Sequence, residues 1–117
     1  MRDICERTFE FAINIVKLSQ ELDQIPGTTR TLTRQLLRSG TSIGANIEEG
    51  QGAQSRADFI SKYSIARKEA RETLYWLRLF VATGIVTEEK AAGLIKEVDE
   101  LLAILTSIIK KCQTQNN

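Results

Sequence analysis

The sequence predicts an all-α protein folded as an antiparallel up-down-up-down four-helix bundle, and three observations point there. Apolar residues recur at helical spacing in four successive segments. Short stretches in which proline, glycine or threonine interrupts the pattern separate those segments. The composition, 42% hydrophobic with a single proline and 6% aromatic residues, is rich in Ala, Leu, Ile, Glu, Lys and Arg, which favour helix. A chain of 117 residues is expected to form one domain, 1–117, large enough for a core but too small for two. Short loops make consecutive helices antiparallel neighbours.

The first helix is expected over residues 3–23, with Ile4, Phe11, Ile15, Leu18 and Leu22 on one stripe and Cys5, Phe9, Ala12 and Val16 on a neighbouring one, together a wide buried face. The run DQIPGTT breaks it, because Pro26 restricts Ile25 and Gly27 permits a turn. A second helix is expected over 29–49 with Leu32, Leu36, Ile43 and Ile47 inward and Gly50 as its stop. Ser55, with Asp58 three residues on, reads as the cap of a third helix over 55–83. Its stripe is Phe59, Tyr63, Ala66, Ala70, Leu74, Leu77 and Val81. Thr87 caps a fourth helix over 88–112, where Glu88 and Glu89 suit the positive end of the helix dipole. Ala91, Leu94, Ile95, Val98, Leu101, Leu102, Leu105, Ile108, Ile109 and Cys112 line its inner side, and the polar QTQNN tail is expected to fray.

The second helix is unusual, since SGTSIGANIEEGQG crowds small residues into its middle and sets glutamates before its glycine end. On a helical wheel Gln35, Ser42, Asn46 and Glu49 form a polar stripe beside the core. One reading is that Gly40, Gly44 and Ala45 permit close helix approach while Ser42 and Asn46 satisfy local groups. The other is a polar network, in which Glu49, placed against the dipole, requires a cation such as Arg38, Arg56 or a residue of another subunit.

Several function classes recede on composition. The absence of histidine removes the commonest general base and the commonest metal ligand. A carboxylate-bridged metal enzyme would normally need Glu-x-x-His pairs, so Glu69 and Glu72 are expected to join a salt-bridge network, with no metal, cofactor or catalysis. The N-terminal segment mixes acids into its apolar positions and lacks a small-residue cleavage site, so it reads as neither signal peptide nor membrane span. A cytoplasmic protein without a membrane partner is expected, with Cys5 and Cys112 as reduced thiols at one end of the bundle.

A net charge of +1 hides an uneven distribution. Residues 25–47 hold Arg30, Arg34 and Arg38 and no acid, whereas residues 1–24 hold three cations against five acids. The three arginines, spaced i, i+4, i+8, could track phosphates or could pair with acids of the first helix. Arg67, Arg71 and Arg78 form a second stripe, with Tyr75 available to stack on a base.

The run QLLRSGTSIGANIEEGQG followed by SRADFISKYSIARKEARETLYWLRL resembles the small bacterial 23S ribosomal RNA intervening-sequence proteins. Members carry a pattern like Q-L-x-R-x-x-x-S-I-x-x-N-I-x-E-G, and Gln35, Leu36, Arg38, Ser42, Ile43, Asn46, Ile47, Glu49 and Gly50 match it position by position. Ala66, Glu69, Glu72 and Leu77 resemble the family's third-helix element, although KEARETLYWLRL departs from the commoner form. The resemblance covers nearly the whole chain. It implies an antiparallel four-helix bundle assembled as a homopentamer, often encoded within insertions in 23S rRNA genes, with no settled biochemical activity. A relative in fold, the accessory variability protein of diversity-generating retroelements, is credited with binding nucleic acid and a reverse transcriptase.

Self-association is also expected from the third helix itself, where Ile65, Trp76 and Leu79 bracket Glu72 off the core stripe and would be wetted in a monomer. Trp76 suits an interface anchor, or else folds along the bundle groove and widens the core. The expected function is a non-catalytic homo-oligomeric scaffold with RNA or DNA as ligand; the alternative is a protein–protein adaptor without nucleic-acid affinity.

Overall fold

In the computed structural model, which describes residues 3–115, the chain forms α1 (Ile4–Leu22), α2 (Thr28–Gln51), α3 (Arg56–Ala82) and α4 (Glu88–Thr114). Side-chain caps start three of them. Asp3 Oδ1 accepts from Glu6 N at 2.9 Å, Ser55 Oγ from Asp58 N at 3.0 Å and Thr87 Oγ1 from Lys90 N at 3.1 Å. Each satisfies one of the amides that a helix start leaves open. Gly27, at φ 86°, turns the chain from α1 into α2 in a conformation that a side chain would resist.

Sequential helices pack along their lengths, α1 on α2, α2 on α3 and α3 on α4, and α4 closes back on α1 along a thinner seam. The diagonal pairs stay apart, which is the up-down-up-down arrangement. The bundle measures 51 × 22 × 22 Å. Its core stacks Phe11, Ile15 and Leu18 of α1 with Leu36, Ile43 and Ile47 of α2, Tyr63, Ala70, Leu77 and Phe80 of α3, and Val98, Leu101, Leu105 and Ile109 of α4. Each large apolar side chain buried there contributes about 1.5–3 kcal/mol of transfer free energy. No helix among the described residues is long and apolar enough to cross a membrane.

The thin α1–α4 seam is held mainly by charge. Arg7 donates through Nε to Glu97 at 3.0 Å and through Nη2 to Glu97 at 2.7 Å and Glu100 at 3.0 Å, while Lys90 pairs with Glu21 at 3.1 Å. Between these pairs lies a groove of about 590 Å³ floored by Phe11, Leu18, Gly93 and Leu94.

Four sequence expectations change. Gly50 is no stop: α2 runs on to Gln51, Gly52 is its C-cap, and Gly50 is buried beneath Tyr63. Phe9 and Val16, expected inside, are 65% and 37% exposed, and Phe9 stands at the edge of an α1–α2 groove lined on the α2 side by the small residues Thr41, Gly44 and Ala45 and by Glu48. The buried stripe of α3 is rotated towards α2, taking in Glu69, Thr73 and Phe80 and leaving Phe59, Leu74 and Val81 half-buried. Gln113 and Thr114 belong to α4; Asn116 and Asn117 of the expected tail lie outside the described residues.

Candidate interaction surfaces

The small residues of α2 serve two neighbours at once. Towards α1, a Cβ on Gly40 would stand 2.8 Å from Ile15 Cγ2 and force that side chain aside, and one on Gly44 would press on the Thr8 carbonyl oxygen at 3.3 Å, so the two glycines favour the close spacing. Towards α3 the seam is polar. Thr73 Oγ1 and Ser39 Oγ share a hydrogen bond of 2.9 Å in the buried interior, and the Thr73 hydroxyl is also 2.8 Å from the Glu69 carbonyl oxygen.

Arg38 organises the outer edge of that seam. Its Nη1 donates to Glu69 Oε2 at 3.0 Å, its Nη2 pairs with Glu72 Oε2, and Trp76 Nε1 donates to the same Glu72 oxygen at 3.0 Å. Gln35 Oε1 lies 3.5 Å from Arg38 Nε. The rest of the polar stripe turns elsewhere. Ser42 Oγ donates to the Arg38 carbonyl at 2.6 Å and Asn46 Nδ2 to the Ser42 carbonyl at 2.8 Å, both within α2. Glu49 pairs with Lys62 at 3.0 Å, while Arg38, one of the expected cations, turns to Glu69 and Glu72. The Glu49 carboxylate raises the Lys62 pKa, through its hydrogen bond first and its charge second.

The two arginine stripes differ in what they face. Arg30 Nε donates to the Asp23 carbonyl at 3.0 Å, and its side chain and that of Arg34 both reach the Asp23 carboxylate, at 3.8 and 4.0 Å. With Arg38 committed to α3, all three α2 arginines have acids. On α3, Arg71 and Arg78 are exposed and Arg67 half-exposed, and among the described residues none of the three has an ion-pair partner. Tyr75, 57% exposed, stands among them with its ring edge-on to Trp76 at 5.1 Å. It opens onto a broad α3–α4 groove of about 1020 Å³ carrying Arg78, Lys96, Asp99 and the apolar Leu79 and Ile95.

Of the expected interface residues, Ile65 is exposed, Leu79 is half-buried and Trp76 packs partly on the core. Sequence reasoning missed a larger apolar surface on the α1–α2 side, where Phe9, Ile13, Val16 and Leu37 are all exposed. The i, i+4, i+7 spacing of the first three was its signal. Glu69 and Glu72 share one arginine, and among the described residues no group of three His, Cys, Asp or Glu side chains could hold a metal ion. Both cysteines are free. Cys5 lies against α2 beside Thr41, Ala45 and Glu48, and burial, followed by the charges of Glu48, Asp3 and Glu6, pushes its thiol pKa up.

Comparison with known proteins adds a family and a structure. The sequence profile of the 23S rRNA-intervening sequence protein family matches residues 2–107. A crystal structure of a protein with unknown function from the S23 ribosomal protein family, from Bacteroides thetaiotaomicron VPI-5482, is 45% identical. The match covers 92% of this chain and 99% of that one at a TM-score of 0.86. No curated protein matches.

Proposed function

The chain belongs to the 23S rRNA-intervening sequence protein family, and we propose that it acts there as a non-catalytic, self-associating cytoplasmic scaffold that holds RNA or DNA on the outer face of α3. One observation carries the reading: Arg67, Arg71 and Arg78 flank the exposed ring of Tyr75, and none of the three is held in an ion pair among the described residues. A cation without an internal partner gives its full charge to a phosphate, whereas Arg30, Arg34 and Arg38 would first have to leave Asp23, Glu69 and Glu72. Tyr75 supplies a face on which a base stacks regardless of its identity. In a homo-oligomer, five copies by the family resemblance, the stripe repeats and its field adds.

Replacing Arg67, Arg71 and Arg78 with Gln tests the assignment. Wild-type protein is expected to retain structured RNA or duplex DNA at low salt, and the triple variant to lose about 2–3 from the slope of log affinity against log salt. No retention by wild type overturns the nucleic-acid part. The exposed Phe9 surface supports a second reading, an adaptor that binds only protein, in which the same assay stays blank for both forms.

A further inference from the structure

Arg67, Arg71, Tyr75 and Arg78 follow one another by three or four residues, so they share one face of α3. Tyr75 and Arg78 also form the α3 side of the α3–α4 groove, and Ile95, Lys96 and Asp99 line its α4 side. Because residues 83–87 fold α4 back along α3, heights on the two helices run in opposite senses from that turn. Tyr75 and Ile95 lie equally far from it and so stand at nearly one height, with Asp99 one turn beyond and Glu88 at the turn itself. The space between the two sides, about 1020 Å³, matches the largest pockets that hold small molecules, about 300–1,000 Å³.

We propose that this groove seats an unpaired base of a single-stranded nucleic acid, stacked on Tyr75, while the strand's phosphates follow the arginine face of α3. The inference rests on the nucleic-acid part of the proposed function and names the form of strand that the same site takes.

The ring argues first. Tyr75 is 57% exposed, and among the described residues it meets one other ring, that of Trp76, at an interplanar angle of 71°, so none is stacked parallel on it. A duplex keeps the faces of its bases inside its own stack and offers such a ring nothing to cover. An unstacked base does, and the half-buried Leu79 and Ile95 supply an apolar floor beneath it.

Charge then sets the direction of the strand's two sides. On the α3 face the cations Arg67, Arg71 and Arg78 stand without an ion pair among the described residues, whereas the α4 side carries Glu88 and Asp99 against Lys96. Phosphates are drawn to α3 and repelled from α4, which turns the bases inward over Tyr75. A carboxylate accepts hydrogen bonds and donates none, so Asp99 suits the amino edge of a base where it would reject a phosphate. The arginines hold any strand by charge; the groove selects the unpaired one.

Fluorescence anisotropy with an oligouridine strand and a blunt RNA duplex of equal length separates the two contributions. The duplex carries twice the phosphates, so charge alone favours it. Wild type is nevertheless expected to bind the single strand tighter, by about 5-fold or more, because stacking on one aromatic ring is worth about 1–3 kcal/mol per base. Tyr75→Ala, a change at an exposed position checked for folding by circular dichroism, should weaken the strand by about 5- to 100-fold and leave the duplex within about 2-fold. Tyr75→Phe keeps the ring and should keep the affinity. A duplex bound as tightly as the strand, an unchanged strand affinity in Tyr75→Ala, or a loss in Tyr75→Phe equal to that in Tyr75→Ala would overturn the groove site and leave the arginine face standing. Binding of neither probe by wild type would overturn both.

Discussion

Gly50 of α2 lies against the ring of Tyr63 of α3 so closely that a methyl group on its α-carbon would stand 2.7 Å from Cε1 and 2.9 Å from Cδ1. The ring has nowhere to go. It stacks on Phe59 with centroids 4.1 Å apart, and its hydroxyl is tied to Gln51 Nε2 at 2.6 Å. The glycine of the family motif is therefore a packing residue, set at the penultimate position of α2.

Gly50→Ala should consequently destabilise the protein. Alanine gains about 1 kcal/mol of helix propensity over glycine, but overpacking costs about 1–3 kcal/mol, so a net loss of up to about 2 kcal/mol is expected in urea melts. Gly93→Ala is the counterpart, since nothing lies within 4 Å of a Cβ built there. It should raise stability by about 0.5–1 kcal/mol. A Gly50→Ala variant as stable as Gly93→Ala would show that the Tyr63 ring yields.

How much of this was legible in the sequence depends on whether a residue's role is local. Caps were, because Ser55 and Thr87 act on amides three residues away. The α1 and α4 core stripes were, because a 3.6-residue period is written along one helix. The role of Gly50 was not, because glycine at a helix end has a ready local explanation and the ring that demands it comes from another helix. The exposure of Phe9 was hidden similarly. Its spacing places it on α1, but which flank of α1 stays uncovered depends on the side chains that α2 sets beside it, and those lie on another helix. For the arginines, spacing showed the stripes but not their partners: Asp23 lies beyond a turn, and Glu69 on a different helix.

Arg38→Met should expose how far the polar seam depends on one guanidinium. Glu69 is 7% exposed and pairs with Arg38 at 3.0 Å, so the variant leaves a carboxylate largely buried opposite a thioether. Breaking a fully buried pair costs about 3–5 kcal/mol. Because the Arg38 side chain is 47% exposed, solvent screening reduces the expectation to about 1–2 kcal/mol. Glu69→Gln added to Arg38→Met should recover part of that loss, since the stranded charge is gone. A double variant that is simply the sum of two losses would place the energy in packing and not in charge.

Tyr63 should make stability fall in alkali. Burial pushes its pKa above the ordinary tyrosine value, and the Gln51 hydrogen bond opposes that shift only in part. The folded protein therefore holds the phenol proton at pH values where the unfolded chain has released it. The sign follows: this contribution is fully present below the ordinary value of about 10 and is lost as pH rises through the higher folded value. Tyr63→Phe removes the titrating group along with the bond to Gln51. At neutral pH the variant should be less stable by about 0.5–1.5 kcal/mol. Between about pH 9 and pH 11 its stability should decline less than that of wild type, so the two curves converge. Urea midpoints across that range provide the measurement, and a variant that loses stability as steeply as wild type would show that the alkaline decline arises elsewhere in the bundle.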